Sequence, residues 1–127
     1  MEILKYIQSL LNQELVYGIN DCHILALTII DIQLETNYRD IYYGKYHDPK
    51  SGWLYSKNTE YPTLRDLLNT VGTTKQSIPN NGCVLLKGNH ASTYWNGKVL
   101  VLNNTNNKYE LTHFCSSDEW EIYYIGK

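Results

Sequence analysis

Along the first third of the chain, apolar side chains recur at helical intervals. Ile3, Leu4, Ile7, Leu10 and Leu11 stand three and four residues apart with polar residues between them, which predicts an amphipathic helix over residues 2–14. Over residues 22–35 the pattern changes, because Ile24, Leu25, Leu27, Ile29, Ile30, Ile32 and Leu34 occupy nearly the whole circumference of a helix. A helix that is apolar all round belongs in the middle of a fold. Residues 36–62 are polar, aromatic and turn-rich, and they read as a long ordered loop whose aromatics either line a groove or cover the core. Thr63, directly after Pro62, supplies a capping side chain for a short third helix that closes on Gly72. Beyond Gly72 the period shortens. Segments 83–87, 90–95, 98–103, 108–114 and 119–125 are rich in β-branched and aromatic residues and are separated by Asn, Gly and Ser, as in a meandering antiparallel sheet. Helices first and strands afterwards predict one α+β domain over residues 1–127, with N-terminal helices packed on a C-terminal antiparallel β-sheet.

The dipeptide Asn96-Gly97 is the strongest hairpin signal in the chain, since a two-residue type I′ turn needs positive φ at both positions. Such a turn sets the register of its strands. Trp95 then faces Lys98, Tyr94 faces Val99, and the alternation carried outward sets His90 against Asn103.

Composition narrows the function classes. The chain has 127 residues, 43% of them hydrophobic, with a formal net charge of −2. That balance lacks the basic footprint of a nucleic-acid binder and the composition of a disordered chain. Cys22, Cys83 and Cys115 are odd in number and widely spaced, which fits free thiols in a reducing compartment. Residues 1–6 have no basic region leading into an apolar core, so no signal peptide is expected, and no stretch approaches the roughly 20 apolar residues of a membrane span. The expected location is the cytoplasm of the producing cell. Zinc is disfavoured because neither a CxxC nor an HxxxH spacing occurs, and no cofactor motif is present. His47 beside Asp48 and His113 near Cys115 read as surface or satisfied core groups.

Candidate chemistry centres on Cys22. It follows the turn-forming run Gly18-Ile19-Asn20-Asp21, in which Asn20 or Asp21 can cap the helix that Cys22 begins. The positive end of a helix favours a thiolate, the form a cysteine nucleophile needs. His23 sits beside it on the helix face. A base for that thiol needs an acceptor on its far ring nitrogen, and the hairpin register offers His90 with Asn103 as its orienting amide. Cys22, His90 and Asn103 are therefore the candidate catalytic set. The competing assignment is a buried structural cysteine, a strand-end histidine and a turn asparagine.

With Tyr17-Gly18-Ile19-Asn20-Asp21-Cys22, then Asn81-Gly82-Cys83-Val84-Leu85-Leu86, then His90-Ala91-Ser92-Thr93-Tyr94-Trp95-Asn96-Gly97, the chain resembles the NlpC-type, papain-like cysteine peptidases, and most of all their small phage-encoded members. The resemblance runs from about Val16 to Asn104. It implies a papain-like fold in which a helix bearing Cys22 packs on a small antiparallel sheet, and a thiol hydrolase that cleaves amide bonds in peptidoglycan peptides. It also implies Cys22 as nucleophile with its backbone N–H in the oxyanion hole, His90 as base, and Tyr17 as an aromatic that assists the oxyanion or substrate. Val101 or Asn103 falls at the third position, depending on how the hairpin is aligned, and only Asn103 is chemically competent there. The chain departs from the family pattern in having His23-Ile24 after the cysteine, where Ser-Gly is usual, and Cys83 where an aspartate is usual. Phage relatives include tail-associated wall hydrolases and tail-assembly factors. The alternative expectation is accordingly a module of weak or no activity that serves in tail assembly or binds a host protein, with virion association as its setting.

Overall fold

The computed structural model describes residues 2–75 and 78–126. Among them, five helices come first in the order α1 (Ile3–Leu10), α2 (Cys22–Leu34), α3 (Tyr38–Tyr42), α4 (Pro49–Ser56) and α5 (Leu64–Val71). Six strands complete the chain: β1 (Gly72–Lys75), β2 (Val84–Lys87), β3 (His90–Trp95), β4 (Lys98–Leu102), β5 (Tyr109–His113) and β6 (Glu121–Ile125). They form one antiparallel sheet in the order β1-β6-β2-β3-β4-β5. The domain is mixed α+β, as the pattern predicted.

The α2 helix lies on the sheet. Every residue from Ile24 to Ile30 is buried, and Val84, Leu86, Ala91, Leu100, Tyr109 and Tyr123 meet it from the strands. Residues alternate across a strand, so Cys83, Leu85, Val99 and Ile122 face the opposite way and form a second, smaller core. Phe114 and Trp120 pack over it.

Residues 36–62 are not a loop. Two short helices interrupt them, and the cause is local capping. The Asp31 carboxylate accepts the backbone N–H groups of Tyr38 and Arg39 and so starts α3. Asp48 and Ser51 bond each other's backbones in a capping box around Pro49, which starts α4. Of the two readings of this segment's tyrosines, Tyr42 and Tyr46 follow the core-covering one: they are 3% and 8% exposed, with their hydroxyls bonded inside the domain. Tyr43 and Trp53 do stay exposed.

Gly72 begins a strand as well as ending a helix. A Cβ there would lie 2.7 Å from the Tyr124 carbonyl oxygen, so glycine lets β1 pair closely with β6. The first helix is shorter than its apolar pattern, because Leu11 leaves it to bridge Tyr109 at the edge of β5.

Candidate functional site

Cys22 is held in place by its neighbour. Asp21 caps α2, its Oδ1 accepting the backbone N–H of His23 at 3.0 Å and of Ile24 at 3.1 Å. Oδ2 accepts the Gly18 N–H at 2.6 Å, and the Tyr46 hydroxyl donates to the same carboxylate at 2.8–2.9 Å. The carboxylate is thus a buried hub, 5% exposed, that ties the incoming turn, the helix start and the segment after α3 together. Gly18 has φ +86°, and a Cβ on it would collide with the Tyr46 carbonyl oxygen at 2.1 Å. Only glycine allows that approach. On the far side the Tyr109 hydroxyl donates to the Asn20 carbonyl.

The sulfur of Cys22 is half-buried at the floor of a cleft of about 480 Å³. Tyr17, His23, Trp53, Arg65 and Asn89 are among its walls. The thiol donates to the Asn89 carbonyl oxygen at 3.6 Å. Burial pushes its pKa up; the Ala91 N–H favours the thiolate, the Asp21 charge opposes it, and desolvation is the largest influence. The cysteine at this helix start is therefore a protonated hydrogen-bond donor at neutral pH, and the helix terminus does not overcome the burial. The His23 ring meets Tyr42 tilted at 46° with ring centroids 4.6 Å apart, and burial lowers its pKa, so it is a neutral imidazole.

His90 does not face Cys22. Gly88, at φ +59°, opens a two-residue turn that pairs Lys87 with His90. Directly opposed residues share a face, and that pairing sets His90 beside Lys87, on the side away from α2, while Leu86 and Ala91 point toward it. His90 is exposed and is not among the cleft's lining residues.

Nor does Asn103 face His90, which corrects the register drawn from the hairpin. The turn itself is as expected, with Asn96 at φ +47° and Gly97 at φ +83°, and Tyr94 pairs with Val99 and Trp95 with Lys98. Among the described residues the recorded β3–β4 register stops at these two pairs, although the Ser92 hydroxyl still donates to the Leu100 carbonyl across the two strands. Asn103 lies just past β4 and builds its own turn. Its Oδ1 accepts the Thr105 N–H at 2.8 Å, and its Nδ2 donates to Glu110 at 2.7 Å. Of the candidate residues, then, Cys22 and Tyr17 share the cleft, and His90 and Asn103 lie outside it.

The remaining cysteines separate from this site. Cys83, where the family pattern has an aspartate, is a core residue of the second cluster with its thiol pushed up to about 12 by burial. Cys115 is exposed and contacts Ser117. Asp21's hub role, the Asn89 carbonyl and Arg65 were not singled out as site features by spacing. The glycine at position 88 marked a turn that brings Asn89 to the sulfur. No helix among the described residues is long and apolar enough to cross a membrane. No family model, curated protein or solved structure matches the chain.

Proposed function

We propose that the chain is a papain-like, NlpC-type domain that acts as a binding module, receiving an extended peptide of a phage tail or host protein in the cleft above Cys22. The observation that carries this reading is the occupied thiol. Cys22 donates to the Asn89 carbonyl, its pKa is raised, and strand parity turns His90 to the other face of the sheet. A nucleophilic thiol needs a base within hydrogen-bond reach and a depressed pKa, and this one has a carbonyl acceptor and a raised pKa. The cleft keeps what recognition needs, an apolar and aromatic wall from Tyr17 and Trp53 beside polar groups from Arg65 and Asn89.

The test is alkylation of the intact protein with iodoacetamide at neutral pH, mapped by mass spectrometry. Cys22 reacts no faster than exposed Cys115 if the reading holds, and association with a tail or host protein in a pull-down survives Cys22→Ala. Faster reaction at Cys22, together with release of peptides from purified peptidoglycan that Cys22→Ala abolishes, supports the hydrolase reading instead. One observation favours that second reading: Cys22 begins a 13-residue helix at the floor of an open cleft, with Tyr17 beside it. In it Cys22 is the nucleophile, and His90, oriented by Asn103, would have to reach the sulfur through rearrangement of the Gly88–Asn89 turn.

A further inference from the structure

Two Asn-Gly pairs occur in the chain, Asn81-Gly82 and Asn96-Gly97, and the fold sets them against each other. The Asn81 Oδ1 accepts the Asn96 backbone N–H at 2.7 Å, and the Asn81 Nδ2 donates to the Asn96 Oδ1 at 2.8 Å. The backbone donor decides which end of the Asn81 amide faces which partner. An Asn-Gly pair is open to one reaction in particular, because a glycine without Cβ lets its backbone nitrogen reach the preceding side-chain amide carbon. The N–Cγ bond forms, the Cγ–Nδ2 bond breaks with loss of ammonia, and water opens the resulting five-membered imide to aspartate or isoaspartate.

The two pairs differ in what holds the attacking nitrogen. The Gly82 N–H donates to the Tyr94 carbonyl at 3.0 Å, the Gly82 carbonyl accepts Gln33 Nε2 at 2.7 Å, and the residue is buried. Turning that peptide plane would strand a buried donor. At the hairpin, Asn96 is exposed, and neither its carbonyl nor the Gly97 N–H has a hydrogen-bond partner among the described residues. The peptide plane between them is therefore free to flip. The flip converts the type I′ turn, with Asn96 at φ +47°, into a type II′ turn, also a two-residue hairpin connection, so the strands stay paired. It leaves the φ of Asn96 positive and moves its ψ to about −120°, which brings the Gly97 nitrogen onto the side-chain carbon. Type II′ disfavours a side chain at its first position, so the reactive turn is the minor state. The Asn81 Nδ2 already points at the Asn96 Oδ1, where negative charge develops as the nitrogen attacks.

We propose that Asn96 is a self-modification site, converted through the imide to aspartate and isoaspartate in the folded protein, with the Asn81 amide as the donor to the developing oxyanion. The reaction consumes only water and needs nothing from the Cys22 cleft. Its isoaspartate product adds a carbon to the main chain of a turn whose Gly97 carbonyl accepts the Phe114 N–H at 2.8 Å. The test incubates the full chain in mildly alkaline buffer, folded and in parallel unfolded in urea, and follows both asparagines by peptide mapping that separates aspartate from isoaspartate. In the folded chain Asn96 converts about tenfold or more faster than Asn81, and in urea the two rates converge. Asn81→Asp keeps an acceptor for the Asn96 N–H and loses the Nδ2 donor, and it slows Asn96 about fivefold. Conversion of Asn81 as fast as Asn96 in the folded chain, no conversion of Asn96 while the urea sample converts, rates that stay apart in urea, or an unchanged Asn96 rate in Asn81→Asp overturns the proposal.

Discussion

Removing the Asp21 carboxylate should cost more than any other single polar change in the domain. Asp21→Ala leaves four donors without their acceptor: the backbone N–H groups of Gly18, His23 and Ile24, and the Tyr46 hydroxyl. Loss of the helix cap is worth about 1 kcal/mol. The Gly18 N–H and the Tyr46 hydroxyl are buried, and stranding each costs about 1–3 kcal/mol. Together these give a loss of about 3–7 kcal/mol, set against a typical total stability of about 5–15 kcal/mol. Asp21→Asn keeps Oδ1 and loses Oδ2, placing an amide donor against the Gly18 N–H, and should cost about 1–3 kcal/mol. Urea unfolding followed by circular dichroism measures both, and thermal melts should fall by about 3–5 °C for each kcal/mol lost. A double-mutant cycle of Asp21→Ala with Tyr46→Phe isolates the hydroxyl contact and should show coupling of about 1 kcal/mol. A loss under about 1 kcal/mol for Asp21→Ala, or strict additivity in the cycle, would refute the hub.

Three further outcomes follow from particular contacts. Gly18→Ala should destabilise the domain by about 2–4 kcal/mol, because its Cβ meets a carbonyl oxygen at 2.1 Å and its φ is positive; Gly88→Ala, with nothing within 4 Å, pays only the left-handed strain of about 1–2 kcal/mol, and equal losses in urea titrations would contradict this. The Cys83 thiol is held up to about 12, so the folded state keeps a proton that the unfolded thiol releases near pH 9. Its contribution is therefore fully present below the unfolded pKa and is lost as pH rises toward 12, and Cys83→Val should flatten the fall in stability measured by melts across that alkaline window. His23 has the opposite sign. Its folded pKa is lowered by burial, so the unfolded state binds the extra proton and stability declines as pH falls below the ordinary histidine value of about 6.5. In His23→Phe that acid-side decline should be smaller in the same melts; an unchanged pH profile would mean the imidazole is not desolvated.

Electrostatics at the start of α2 illustrate how position and environment compete. A helix N-terminus favours a thiolate by a fraction of a kcal/mol to about 2 kcal/mol, whereas desolvation of a buried group can shift its pKa by up to about 3–5 units. At Cys22 the buried environment wins, and the hydrogen bond to Asn89 gives the proton an acceptor. At His23 beside it burial lowers the pKa against the pull of the Asp21 charge, which keeps the imidazole neutral. The cleft therefore presents a thiol, a neutral imidazole and the guanidinium of Arg65, which is shared with Glu121 across to β6.

Sequence alone determined the elements whose cause is local. The all-round apolar run from Ile24 to Ile30 demanded a central helix, Asn96-Gly97 demanded a type I′ turn with Trp95 opposite Lys98, and Asp21 was available to cap the helix that Cys22 begins. Each follows from periodicity, φ preference or a side chain reaching its own backbone. The capping box at Asp48 and Ser51 was equally local, but the surrounding tyrosines masked it as a surface loop. Tertiary structure alone decided what those elements face. The register of β3 on β4 is recorded only over Tyr94–Val99 and Trp95–Lys98, and Asn103 builds a turn of its own and bonds Glu110 of β5. The side of the sheet that receives His90 depends on parity from the Gly88–Asn89 turn combined with where α2 docks, and no spacing within the chain carries that information. Burial, which is a property of the packed domain, pushes the Cys22 thiol up against the pull of the helix start that carries it.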